Sequence, residues 1–131
     1  MNPVFLDVDD VIQIHTIQLE EFGGSEGVRD AGLLDSATAQ PAATFGGAFL
    51  HADLFEMAAA YLFHIVKNHP FIDGNKRTGL AAAAVFLRLN GLIVDESFND
   101  RLFEMTLAVA EGQMGKSDVA ALFAELATDQ G

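Results

Sequence analysis

The 131-residue sequence contains no cysteine, so it can build neither a disulfide framework nor a thiolate metal site. That absence suits a reducing cytoplasm. Basic residues are scarce: seven Lys and Arg stand against 19 Asp and Glu, a formal charge of −12. A surface this negative repels a phosphate backbone, which excludes broad nucleic-acid binding. The longest apolar run, Leu80 to Leu87, falls far short of the roughly 20 residues needed to span a bilayer. The start "MNPVFLDVDD" lacks the basic and then apolar pattern of a signal peptide. Internal repeats, linkers and low-complexity segments are also missing. No set of alternating strands is long enough to build a sheet. What is present is a half-hydrophobic chain with one fifth of its residues charged, the profile of a packed globular protein. Such a chain buries about two thirds of its unfolded surface. The expectation is one all-α domain over residues 1–131.

The apolar spacing divides the chain into about six helices. Asp7 caps a first helix whose inner face runs Val8, Val11, Ile12, His15, Leu19, Phe22, the i, i+3, i+4, i+7 pattern of an amphipathic helix. Gly23 and Gly24 end it. A short second helix covers Asp30 to Gln40, stopped by Pro41. Residues 42–52, "AATFGGAFLHA", read as a loop or short hairpin, since paired glycines turn a chain sharply. Asp53 starts a third helix, with Glu56 as its capping-box partner. Pro70 stops that helix. A fourth runs from Asn75 to Leu89 with Gly91 as a left-handed C-cap. Its run "LAAAAVFL" is apolar on all faces and predicts the buried central helix. A fifth spans Asn99 to Glu111, and a sixth runs from the N-cap Ser117 to Ala127. "LIVDE" reads as a short extended link.

Between the third and fourth helices lies "NHPFIDGNKRTG", Asn68 to Gly79. This stretch feeds a loop straight into a helix N-terminus, whose first N–H groups lack acceptors and carry partial positive charge. That junction is a ready anion site. Gly74 allows close approach to the backbone, Asn75 offers an amide, and Lys76 and Arg77 add full charges. Asp73 would repel an anionic ligand unless a cation such as Mg2+ bridges it to phosphate oxygens. His69 supplies the residue type best suited to general-base work at neutral pH. Phe71 reads as an apolar anchor for the loop. Base, metal ligand, amide cradle and cations together describe phosphoryl or nucleotidyl transfer. The spacing is not a Walker loop. Zinc is excluded, because no H-E-x-x-H is present and His64 and His69 would diverge by about 140° on a helix. His15, His51 and His64 read as structural, and the phenylalanines as core.

The segment His69 to Arg77 resembles the Fic/Doc (Fido) signature H-P-F-x-[DE]-G-N-[GK]-R in full. "GGSEGVRDAGLLDSA", "DLFEMAAAYL" and "VFLRLNG" are similar to the death-on-curing (Doc) branch. The resemblance implies a compact Fido-type bundle and ATP chemistry on a target protein's hydroxyl. His69 would be the base, Asp73 the Mg2+ ligand, and Gly74, Asn75, Lys76 and Arg77 the phosphate-binding groups. The loop around Thr44 to Leu50 would occupy the place of the family's flap. The AMP-transferring branch has glycine where this chain has Lys76, and a second arginine where it has Leu80. Doc-type proteins share both differences and present the γ-phosphate, so the resemblance implies a protein kinase. Gly74, where alanine can occur in the Doc pattern, leaves AMP transfer as the alternative, with an idle binding module third. No inhibitory [ST]-x-x-x-E-[GN] helix is present: Glu26-Gly27 and Glu111-Gly112 follow Phe22 and Leu107. Restraint is therefore expected from a small antitoxin partner, and elongation factor Tu is the family-implied target.

Overall fold

Three aspartates start the first three helices. Asp7, Asp30 and Asp53 each accept a hydrogen bond from the backbone N–H three residues on, at Asp10, Leu33 and Glu56. These caps open α1 (Val8–Phe22), α2 (Ala31–Ala39) and α3 (Leu54–Asn68). At α1 the box is reciprocal, with Asp10 returning a bond to the Asp7 N–H. The expected return from Glu56 to Asp53 is not made; among the described residues only the aspartate half of that box forms. The computed structural model describes residues 2–130. Among these, α4 (Asn75–Leu89), α5 (Asn99–Ala110) and α6 (Lys116–Leu126) complete six α-helices, and the all-α expectation holds.

Strands are confined to pairs of two residues. β1 (Thr44–Phe45) and β2 (Ala48–Phe49) form an antiparallel hairpin around Gly46 and Gly47, both at positive φ. β3 (Leu92–Ile93), at the start of the expected extended link, pairs antiparallel with β4 (Thr128–Asp129) beyond α6. Helix α6 begins two residues earlier than its sequence signal, the N-cap Ser117. The N-cap is Gly115, and Asp118 rather than Ser117 takes up the free N–H of the first turn, accepting from Gly115 at 2.9 Å.

Helix α3 lies at the centre, with Met57 to Leu62 completely buried. Its largest interface is with α4, and it also packs on α6, α2 and α5. Gly79 permits the close α3–α4 crossing: a Cβ there would lie 3.0 Å from Val66 Cγ2 and 3.1 Å from the Leu62 carbonyl oxygen. The Tyr61 hydroxyl, on α3, accepts from the Leu6 N–H at 2.8 Å and donates to the Leu6 carbonyl at 3.2 Å. Burial raises its pKa to about 12, so it stays a donor.

The fourth helix departs from the expectation of burial on all sides. Ala82, Ala83, Phe86 and Leu87 face the core, but Ala84 is exposed. With Leu80 and Ala81 it lines an open groove of about 500 Å3 between α1, α4 and α5, rimmed by Glu21, Glu96 and Asp100. All-round apolarity overstates burial because alanine is small enough to sit at an open surface at little cost. Among the described residues no helix is long and apolar enough to cross a membrane.

Candidate active site

Helix α3 ends at His69, which adopts the left-handed conformation (φ 51°, ψ 54°). It is the one non-glycine residue at positive φ among the described residues. This backbone costs about 1–2 kcal/mol for an L-residue, so surrounding bonds must hold it. Beyond the turn Pro70 is buried while the His69 residue stays exposed. Phe71 is 1% exposed and anchors the loop as expected. Two further side chains fix it. Asn75 Oδ1 accepts from the Phe71 N–H and Asn75 Nδ2 donates to the Phe71 carbonyl, both at 2.9 Å. His15, on α1, stacks on the Phe71 ring (centroids 3.8 Å apart, planes 5° apart). Its Nε2–H donates to the Asp73 carbonyl at 2.8 Å.

The Asn75 carboxamide is thus committed to the loop, and what Asn75 can offer an anion is its backbone N–H. Gly74 (φ 77°, ψ 18°) is the N-cap of α4, and no side chain caps that helix. Its first-turn amides are left available, where the helix dipole favours negative charge. Asp73 is held by the segment before α2. Its Oδ2 accepts from the Ser25 N–H at 3.1 Å and its Oδ1 from the Gly74 N–H at 2.9 Å. These two N–H groups, Ser25 first, hold its pKa below the usual carboxylate value, so Asp73 is an anion at neutral pH. The approach is close: a Cβ on Gly24 would lie 2.9 Å from Asp73 Oδ2.

His69 and the run Asp73 to Arg77 all line one hollow of about 240 Å3, completed by Phe22, Gly23 and Phe103. The Arg77 guanidinium lies 3.8 Å from the Phe22 ring centroid and 4.6 Å from that of Phe103. Such contacts are worth about 0.5–1 kcal/mol each at exposed sites. They hold the guanidinium plane and leave its N–H edge for an oxyanion. Lys76 is exposed, with no ion pair among the described residues.

A sequence profile described as the Fic/DOC family matches residues 5–87. The chain belongs to the Fic/DOC family. It is similar to "Toxin Doc" of Mycolicibacterium smegmatis, 40% identical over 124 residues that cover 94% of this chain and 93% of that protein. It is also similar to "Protein kinase doc" of Escherichia phage P1, 34% identical over 112 residues covering 86% of each. The profile match ends within α4, whereas the alignment to the mycobacterial relative covers almost the whole chain.

In this Fic/DOC chain the signature residues converge, but two other cations do not join them. Lys67 and Arg88 are not part of the hollow's lining. Arg88 sits at the far end of α4, ~20 Å from Asn75 at 1.5 Å per residue. His64 and His51 meet elsewhere, around Lys116 of α6. The Lys116 ammonium, which can only donate, lies 3.1 Å from His64 Nε2 and 3.4 Å from His51 Nε2. Burial first, and Lys116 second, push His64 down to about 4 and lower His51 as well, Glu56 opposing at His51.

Sequence reasoning gives no site role to Ser25, Phe22 and Phe103, nor to Arg29, whose side chain donates to the His69 carbonyl. Gly23 and Gly24 read as a helix stop, and the Doc-like segment that they open carries no assigned site role. Nothing local in the sequence marks two phenylalanines, one from α1 and one from α5, as partners of the Arg77 guanidinium.

Proposed function

We propose that the chain is the toxin of a toxin–antitoxin pair and an ATP-dependent protein kinase. Its substrate is a serine or threonine hydroxyl of a translation factor, with elongation factor Tu the family-implied target and the cytoplasm the site of action. The observation that carries this reading is the convergence of His69, Asp73, Lys76 and Arg77 with the uncapped start of α4 on one hollow. Two relatives bearing the names of a toxin and a protein kinase support it.

In the proposed reaction the exposed His69 imidazole accepts the proton of the target hydroxyl as that oxygen bonds to the γ-phosphorus of ATP. The bond from the γ-phosphorus to the β–γ bridging oxygen breaks, and ADP leaves. The amides of the first α4 turn, from Asn75 on, and the Lys76 and Arg77 side chains offset the phosphate charge, with Gly74 allowing close approach. Asp73 fits a Mg2+ ligand: it is ionised, exposed and oriented by two N–H bonds. Among the described residues no cluster of three or more metal-ligating side chains exists, so Asp73 would hold the ion together with substrate phosphate oxygens and water, as is usual for Mg2+. When bound, Mg2+ would neutralise phosphate charge.

A volume of 240 Å3 is below that of a drug-sized pocket and suits the phosphate end of the nucleotide. The adjoining groove shares Phe22, Arg77 and Phe103 with the hollow. Its apolar floor and acidic rim suit a basic, amphipathic segment of a small antitoxin lying beside the site. The hairpin of β1 and β2 would serve as the flap for the target chain. AMP transfer is the second reading, resting on Gly74 standing where alanine can occur in the Doc pattern.

The test is incubation of the protein and a cell lysate with ATP labelled at the α- or the γ-phosphate, repeated with His69→Ala. Label from the γ-position alone, lost in the variant, is expected. Label from the α-position would instead establish AMP transfer, and no His69-dependent label would establish a binding module.

A further inference from the structure

The left-handed turn at His69 requires something to hold it, and one side chain outside the hollow grips it directly. Arg29 donates from Nε to the His69 carbonyl oxygen at 2.6 Å and from Nη2 to the Asn68 carbonyl oxygen at 2.9 Å. The Asn68 carbonyl belongs to the peptide plane preceding the His69 Cα, and the His69 carbonyl to the plane following it. Fixing both planes fixes both torsions of His69. The next carbonyl, of Pro70, accepts from the backbone N–H groups of Arg29 and Asp30 at 2.7 and 3.1 Å. Three successive peptide planes across the α3–loop junction are therefore held by residues 29 and 30.

We propose that Arg29 is a positioning residue for His69, acting through the backbone to aim its imidazole into the hollow. The inference rests on the reading of His69 as general base. Arg29 does not line the hollow, so it acts without touching the reacting groups. A guanidinium suits the task because its planar fork presents two N–H donors at once, whereas a lysine presents a point charge on a flexible stem. A cation here also complements the negative end of the α3 dipole. The side chain is exposed, so replacing it leaves no hole in the core and the variants are expected to fold.

The test compares wild type with Arg29→Ala and Arg29→Lys by single-turnover phosphate transfer, and by the Cα and Cβ chemical shifts of His69, which report its backbone conformation. In Arg29→Ala, kcat falls ~10- to 100-fold, the scale of a base displaced by about 1 Å, while KM for ATP stays within about twofold. The His69 shifts leave their left-handed values. Added guanidinium restores part of both signals, and Arg29→Lys recovers part of kcat. A left-handed His69 and unchanged kcat in Arg29→Ala would overturn the proposal. If wild type transfers no phosphate, the general-base reading fails, and the His69 shifts still decide whether Arg29 sets the turn.

Discussion

The His15 imidazole lies flat on the Phe71 ring, 3.8 Å away, while its Nε2 holds the Asp73 carbonyl at 2.8 Å. One buried side chain of α1 thereby ties the loop's apolar anchor to its carboxylate residue. His15→Leu keeps the apolar volume but loses the stack and leaves a part-buried carbonyl without its donor. The expected cost is ~1–3 kcal/mol, measured by urea unfolding, together with a higher Mg2+ requirement for phosphate transfer. Wild-type stability in the variant would show that the stacked pair contributes nothing to the fold.

Gly24→Ala probes the approach of Asp73 to the preceding segment. The added Cβ would come within 2.9 Å of the Asp73 carboxylate, at a φ of +126° that alanine avoids. Asp73 must shift, so the Mg2+ concentration for half-maximal transfer is expected to rise about 10-fold, the lower end of second-shell effects on metal affinity. A Mg2+ titration of activity that superimposes on wild type would refute the link.

Gly79→Val tests the crossing of α3 and α4. Even the first carbon would press on Val66 and the Leu62 carbonyl, and overpacking of this kind costs about 1–3 kcal/mol. A loss in urea stability without a change in KM for ATP is the expected pattern.

The Lys116 cluster makes stability sensitive to acid. In the folded chain His64 titrates near 4, below the ordinary 6.5 of the unfolded chain. Between these values the unfolded state binds more protons, so the contribution is complete above pH 6.5 and is lost as pH falls towards 4. The ring is partly exposed, and solvent screening limits the effect to about 1 kcal/mol. Lys116→Met removes the neighbouring positive charge, raising the His64 pKa in an NMR titration. The difference in urea midpoint between pH 7 and pH 5 should shrink with it.

The helices were legible because their signals are local. Asp7 and Asp53 stand at the helix starts that the sequence marks, Asp30, expected as the first residue of α2, is its N-cap, and Pro70 stops α3. The signature residues could also be placed together in advance, since a loop entering a helix keeps Asp73 to Arg77 close along the chain. What escaped was set by contacts distant in sequence. Asn75 is the exception: its carboxamide closes on Phe71 only four residues back, but a loop of unknown path does not show in the sequence which way that amide turns. Arg29 lies 40 residues before His69, and no periodicity links a turn residue to a helix end that far away. His15 fell correctly on the apolar face of α1, but its hydrogen bond to the Asp73 carbonyl depends on how two helices meet. The openness beside α4 was missed because a run of alanines reads the same whether covered or not.

Residues 25 to 28 meet the loop mainly through main-chain atoms: the Ser25 amide reaches Asp73, the Gly27 carbonyl reaches Ile72, and Val28 bridges Phe71. Side chains at 25, 26 and 28 point into exposed territory, so their chemical nature is free to drift. Gly24 and Gly27 have no such latitude, because a methyl group at either would collide with Asp73 or Ile72. A lineage of such proteins could thus restyle the outside of this segment while two hydrogen atoms, in place of side chains, keep its grip on the loop unchanged.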